Sequence, residues 1–483
     1  MNSKKIFLST VLFFITLNLF AQNYNDALRL SEPEIFTSAR SLSMGNAYTA
    51  VSNDFSASLF NPAGFALIKK AEFSGSLQHN SFNNRTNFFN NTEDDNRTSA
   101  RFNQFGFAFP FPTNRGSFVI GFGYNRIKDF NRTMTFNGYN NNNNSMIQDL
   151  AYYNDDIAYE LGLSYPVYDA SNSYLGDETR INGKLNQSGN IYQEGGLNSW
   201  SFSGAMEIEE NIFVGATLNI LSGDFKRNRE YTETDIYDNY GADLLLDPEE
   251  PATADFETFY INDIIDWDVS GWNATLGLLA KMDKNINLGF TVKLPKSYTI
   301  KETYFVDAYS DFGTGISFVL DPPIEDRIEY DITTPYELTV GGSFHDENYL
   351  VSADINFIDY TQMEFTDGLE VSTRVSNNRA INDLMRAVYN LHAGAEYIIP
   401  NTSIALRGGF MLLPSPFKDD SSEYDKKIVT AGVGIGSGKG LVFNFAYSYG
   451  WWKDFGDNYG SGESRTYQDI TKNNLMFGVK YNF

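Results

Sequence analysis

Asn473-Asn474-Leu475-Met476-Phe477-Gly478-Val479-Lys480-Tyr481-Asn482-Phe483 closes the chain. Leu475, Phe477, Val479, Tyr481 and Phe483 alternate with Asn474, Met476, Gly478, Lys480 and Asn482. Successive side chains of a strand point to opposite faces. One face of this strand is therefore apolar and the other mostly polar or small. A closing strand of a membrane barrel has that pattern, apolar toward lipid and polar toward the lumen. A soluble antiparallel strand alternates too, so the other end of the chain matters.

Lys4 and Lys5 precede a mostly apolar run, Ile6 to Phe20, and a small-residue site at Leu19-Phe20-Ala21. This reads as a secretory signal peptide over 1–21, cut before Gln22. The run is short for a spanning helix, which needs roughly 20 apolar residues. The 483-residue chain has no Cys, so its stability has to come from hydrogen bonds and packing rather than disulfides. A closed barrel meets that need, since its ladder bonds are all satisfied internally. The formal charge is −25, which argues against nucleic acid as a partner. The 40 Phe, 30 Tyr and 39 Gly suit strands whose apolar residues are spread over every second position.

Alternation recurs along the chain. Phe105, Phe107, Phe109 and Phe111 share a face, as do Ile120, Phe122 and Tyr124 after the turn at 112–115. Trp200, Phe202, Trp272, Phe477 and Tyr481 are expected to face lipid or the aromatic girdle. Short turns at 283–285, 345–348, 400–401 and 436–440 join further pairs. Long polar stretches near 80–100, 127–198, 222–268, 295–334, 359–388, 413–426 and 450–472 alternate with these turns and read as external loops. Short turns at one end and long loops at the other are the barrel pattern, and the strand number should be even. The expected fold is all-β: a closed antiparallel transmembrane barrel of about fourteen strands over 71–483. Helix-like spacing at Ile147, Leu150, Ala158 and Leu161, and again over 379–389, places helices in the loops.

Asp235, Asp238, Asp243, Asp247, Glu249, Glu250, Asp255 and Glu257 crowd one loop. Hard cations such as Ca²⁺ want several oxygens, but no EF-hand spacing is present, and a solvated acidic surface explains the run equally. No metal or cofactor is assigned. The His residues, 79, 345 and 392, fall on different strands with no nucleophile motif, so no enzyme is expected.

Residues 22–70 do not read as barrel. They contain Ser38-Ala39-Arg40-Ser41-Leu42-Ser43-Met44-Gly45-Asn46-Ala47-Tyr48-Thr49-Ala50-Val51-Ser52-Asn53-Asp54 and then Asn61-Pro62-Ala63-Gly64. This segment resembles the amino-terminal part of the FadL/TodX outer-membrane transporters, a Gly/Ala-rich stretch with an Asp followed by Asn-Pro-Ala. Asn287-Leu288-Gly289-Phe290 before Leu294-Pro295, and Leu406-Arg407-Gly408-Gly409-Phe410 before Pro414-Ser415-Pro416, also look familiar. The resemblance implies a fourteen-stranded outer-membrane barrel whose segment 22–70 is a hatch in the lumen, with Gly45, Asp54, Asn61, Pro62, Ala63 and Gly64 as its motif. It implies passive transport of hydrophobic small molecules, long-chain fatty acids or aromatic hydrocarbons, with a hatch rearrangement and sideways exit at an inward kink of the third strand. Partners would be outer-membrane lipids and an apolar ligand. The rival reading is an accessory barrel that docks other surface or secretion proteins.

Physics supports a hatch independently. An irregular backbone cannot face lipid but can sit inside a barrel, and lumens of this size are wide enough to be plugged. Pro62 biases Asn61 to extended backbone, where its side chain can close an Asx turn. Alternation points Glu337, Asp354, His392, Glu396 and Arg407 into the lumen, with Arg407 diagonal to Glu396. These are either braces for the plug or, for Arg407, an anion-holding group. Gly121 and Gly123 on the third strand mark a bend at a lateral gap or serve packing. No basic cluster is evident in the loops.

Overall fold

The computed structural model describes residues 22–34, 38–152, 156–460 and 462–483. The signal peptide over 1–21 lies outside the described residues.

Fourteen antiparallel strands form the wall. They are β1 (Glu72–Phe88), β2 (Asn91–Phe111), β3 (Phe118–Asp129, resumed at Arg132–Tyr139), β4 (Asn186–Glu209), β5 (Ile212–Thr234) and β6 (Phe256–Lys281). Two interrupted strands follow, β7 (Ile286–Lys293, resumed at Ser297–Phe312) and β8 (Ile324–Thr333, resumed at Glu337–His345). The ring continues through β9 (Tyr349–Asp359), β10 (Ala387–Ile398), β11 (Ile404–Leu413), β12 (Lys426–Gly436), β13 (Leu441–Asp457) and β14 (Arg465–Asn482). Each strand pairs with its chain neighbours, and β14 returns to β1, from Glu72↔Asn482 to Asn87↔Tyr467. Closure leaves neither terminal strand an open edge. On β14, Leu475 is 57% exposed while Asn474 is 2% and Met476 0% exposed, so the apolar face points outward. Trp200, Phe202, Trp272 and Tyr481 are likewise exposed, and Phe477 half-exposed, on the outer face.

The turns expected to be short are short. Of the long polar stretches, 80–100, 222–268, 295–334 and 450–472 are largely wall, whereas 127–198, 359–388 and 413–426 lie mostly outside it. Strands β1 and β2 run to a two-residue turn at Phe89-Asn90, both at positive φ, where a loop over 80–100 was expected. Above the lipid band both faces of a strand meet water or polar neighbours, so hydrophobic alternation fades while the ladder continues. The same extension carries β5 to Thr234 and starts β6 at Phe256. The loop helices are Met146–Tyr152, Asp156–Glu160 and Val371–Leu384; residues from Ala387 onward belong to β10.

Three wall strands break. Pro295 and Pro335 interrupt β7 and β8 at the same level, between Lys293↔Glu337 and Ser297↔Thr333, where the missing N–H cannot extend a ladder. Strand β3 departs furthest. Its ladder with β2 stops at Gln104↔Asn125. Ile127 is an extra, bulged residue against β4, and a bulge bends its strand. The resumed part pairs only with β4 and runs inside β1, whose inward Asn84 and Thr86 side chains donate to the carbonyls of Thr133 and Thr135.

Deleting 475–483 strips Glu72–His79 of their ladder partners on β14 and opens the ring there. The expected outcome is loss of the compact band that the unheated protein gives in SDS electrophoresis; a surviving band would show that closure does not hold the ring.

Candidate functional site

The amino-terminal segment fills the lumen. Helix α1 (Tyr24–Ser31) is capped by Asn23 and Asp26 in a capping box. A short helix, α2 (Ala39–Ser43), and two 3₁₀ turns, Phe55–Ser58 and Pro62–Leu67, follow. Asn61 is wholly buried and its Oδ1 accepts from the Ala63 N–H at 3.1 Å, the expected Asx turn. Its Nδ2 donates to the carbonyls of Thr49 at 2.8 Å and Leu278 at 3.0 Å, joining turn, hatch and wall. Asp54 caps the first 3₁₀ turn through the Ser56 N–H and accepts from the Tyr48 hydroxyl.

Wall glycines make this docking possible. A Cβ on Gly277 would lie 2.1 Å from Asn61 Oδ1, and one on Gly215 would lie 2.4 Å from the Pro62 carbonyl carbon. Inside the hatch, Gly64 passes so close to Ser52 that a Cβ would meet its carbonyl oxygen at 1.9 Å. Gly45, at φ +60°, sits against the backbone of β10 and β11. Gly121 and Gly123 lie in the regularly paired part of β3, beneath the rings of Phe65 and Phe55. They seat the hatch; the strand leaves its ladder a few residues later, at Ile127.

Lumen side chains then bond the hatch. Asp354 accepts the N–H groups of Tyr48 and Thr49, both at 2.8 Å. His392 Nδ1 lies 2.9 Å from the Gly45 carbonyl oxygen. Glu396 joins Arg40 of the hatch to Arg407 of the wall, at 3.3 and 2.5 Å. Arg407 also donates to Asn444. Glu396 stands directly opposite Arg407, not diagonal to it, because the β10–β11 connection runs from Ile399 to Ser403 and shifts the register by two. A cavity of about 280 Å³ opens below this network, between α2 and strands β1, β10, β11, β13 and β14.

Above the hatch, α1 occupies an aromatic chamber. Ala27, Leu28 and Leu30 belong to one buried cluster with Phe225, Trp267, Tyr298 and Tyr330. Arg29 stacks over Phe225 and pairs with Asp26. Between α1 and α2 the chain descends through Glu32-Pro33-Glu34, which borders three lumen cavities. Lys426 Nζ lies 2.7 Å from Glu32, and Lys472 pairs with Glu34. Burial opposes charge on Glu32, but Lys426, Lys128 and Arg132 outweigh it and hold the carboxyl down at about 2. Glu337 is clasped by Lys293 and Lys296 at 3.1 and 3.2 Å. These lysines escape a sequence reading because they are scattered from 128 to 472 over several strands. Trp452 joins this chamber wall, while Trp451 faces outward.

The acidic loop carboxylates act as caps where their contacts are seen: Asp235 accepts the Tyr240 N–H, and Glu250 that of Ala252. Among the described residues no group of three acidic or His side chains is arranged to hold a metal ion.

The absence of Cys allows a single reporter thiol. In a Ser58→Cys background, Asn61→Ala removes the turn's cap, one bond within the hatch and one bond to the wall, and should speed labelling by a water-soluble maleimide about tenfold, equivalent to ~1.4 kcal/mol. Gly277→Val should do the same through overpacking, which typically costs about 1–3 kcal/mol. Unchanged labelling in both would show that this turn does not hold the hatch.

No protein-family model matches the chain, and no curated protein matches it in sequence. Solved structures do. A Pseudomonas aeruginosa FadL homologue superposes with TM-score 0.59 at 12% identity, covering 94% of this chain and 100% of that one. The P. putida toluene transporter TodX gives 0.54 at 14% identity, covering 92% and 97%. The Ralstonia pickettii toluene transporter TbuX gives 0.50 at 15%, covering 93% and 99%. Identity this low speaks for fold alone: the chain has the FadL/TodX-type fold, a closed fourteen-stranded transmembrane barrel with its amino-terminal segment in the lumen.

Proposed function

We propose that this protein is a passive outer-membrane transporter of hydrophobic small molecules, long-chain fatty acids or aromatic hydrocarbons. Its route runs from the external loops into the aromatic chamber, past a hatch that rearranges around Asn61–Gly64, and sideways out of the wall at β3. The observation that carries this reading is the parting of β2 and β3. Beyond Gln104, β2 is ladder-bonded only to β1, and the bulged Ile127 borders the lumen cavity next to Leu197. A wall that parts beside a cavity edged by Leu30, Ile127, Leu197 and Leu221, as well as by charged groups, gives an apolar ligand a path from lumen to lipid. Above the parting, side chains rather than backbone join the two sides: Asp95 accepts from Thr133 and Thr135, and Asp129 from Ser99. A hydrogen bond to a carboxylate is worth about 1.5–3 kcal/mol, but a few such bonds stand here in place of a continuous ladder, so the seam can yield where a ladder would not. The apolar outer face and the likeness in fold to two toluene transporters support the setting and the ligand class.

Proteoliposomes test the route. The barrel should equilibrate a neutral hydrophobic probe such as toluene, and Ile127→Trp should slow it severalfold while leaving the compact SDS band intact. Equal uptake by both proteins would remove the lateral exit; no uptake above empty liposomes would remove transport.

A further inference from the structure

Glu32-Pro33-Glu34 sits where the lumen is most cationic. Lys128 of β3 donates to the Glu32 carbonyl at 2.9 Å, Lys426 of β12 pairs with the Glu32 carboxylate, and Lys472 of β14 pairs with that of Glu34. Arg132 borders the same cavity, whose remaining wall includes the apolar side chains of Phe82, Leu413, Ile428 and Trp452. The wall answers these four cations only in part. Asp454 acts on Arg132 and Lys426, and Asp129 acts on Lys472 while also engaging Arg126, Asn80 and Asn131. The carboxylates in direct ion pairs with Lys426 and Lys472 come from the hatch. The same segment carries the apolar Ala27, Leu28 and Leu30 into the aromatic chamber just above. Residues 22–34 therefore present an apolar helix face followed by carboxylates, a layout that parallels an anionic amphiphile, to a site with complementary walls.

We infer that Glu32 and Glu34 are a built-in competitor that occupies this anion site, so that an anionic amphiphile binds by displacing residues 22–34 from Lys128, Arg132, Lys426 and Lys472. The competition follows from burial. Removing one partner of a buried ion pair leaves the other charge uncompensated, so the displaced segment can leave only if another anion takes its place. A neutral hydrophobe cannot make that exchange. The inference rests on the transport reading for its setting, but the competition is a binding equilibrium and is measured without transport.

The test uses the full mature chain in nonionic detergent, with palmitate and hexadecanol as probes of equal chain length. Glu32→Gln/Glu34→Gln keeps shape and removes charge. Palmitate should bind this variant at least tenfold tighter than the unaltered protein, hexadecanol within threefold, and adding Lys426→Met/Lys472→Met should abolish the palmitate gain. A palmitate affinity that does not rise, or that rises no more than that of hexadecanol, overturns the inference. Deletion of 22–34 is the second variant should the double exchange fail to assemble: both probes should then gain, palmitate by at least tenfold more than hexadecanol, and equal gains overturn it. Toluene flux in proteoliposomes separates the two ideas, since intact flux with no palmitate response sinks only the competitor.

Discussion

A backbone laid across the inside of a barrel must approach the wall closely and still find partners for its N–H and C=O groups. Here the wall meets both demands by giving up side chains. Gly215 and Gly277 admit the Asn61-Pro62-Ala63 turn, and Gly121 and Gly123 admit the rings of Phe65 and Phe55. Between these bare positions, Asp354 and His392 reach in to bond the hatch backbone. Buried polar backbone left without partners costs about 1–3 kcal/mol per group, so seat and anchors belong to one design. Several of the chain's 39 glycines are the record of that seat.

Electrostatics inside and outside the ring run in opposite directions. The chain as a whole is strongly acidic, yet the middle of its lumen gathers Lys128, Arg132, Lys293, Lys296, Lys426 and Lys472. Part of that charge is answered by the wall carboxylates Glu337, Asp454 and Asp129 and part by the hatch. Near the bottom of the hatch the arrangement inverts, with one carboxylate, Glu396, between two guanidiniums. The hatch is thus fastened at two heights by ion pairs of opposite sense, its carboxylates on wall lysines above and its Arg40 on a wall carboxylate below.

Much of the fold was legible because lipid imposes period-two alternation, as on β14 and across β2 and β3. The strand ends were not, since alternation fades once both faces turn polar; 80–100 read as loop and proved to be a hairpin. The Asn61 turn was legible because Pro62 constrains its neighbour whatever surrounds it. The β10–β11 register differs by two from a turn centred on Pro400-Asn401 alone, because the connection spans Ile399 to Ser403. The lysine cluster was out of reach, since nothing in a linear chain marks Lys128, Lys426 and Lys472 as neighbours. Gly121 and Gly123 were visible as special, but the need they serve, room for two rings, exists only in three dimensions.

The seated hatch is tested most directly by pulsed electron spin resonance. Spin labels on Asn53→Cys in the hatch and Lys284→Cys in the β6–β7 turn report the distance between plug and wall, free of interference because the chain has no other thiol. One narrow distance in the unliganded protein, joined by a second population when a hydrophobic ligand is added, is the expected result. A broad distribution without ligand would mean that the segment is not held on its glycine seat.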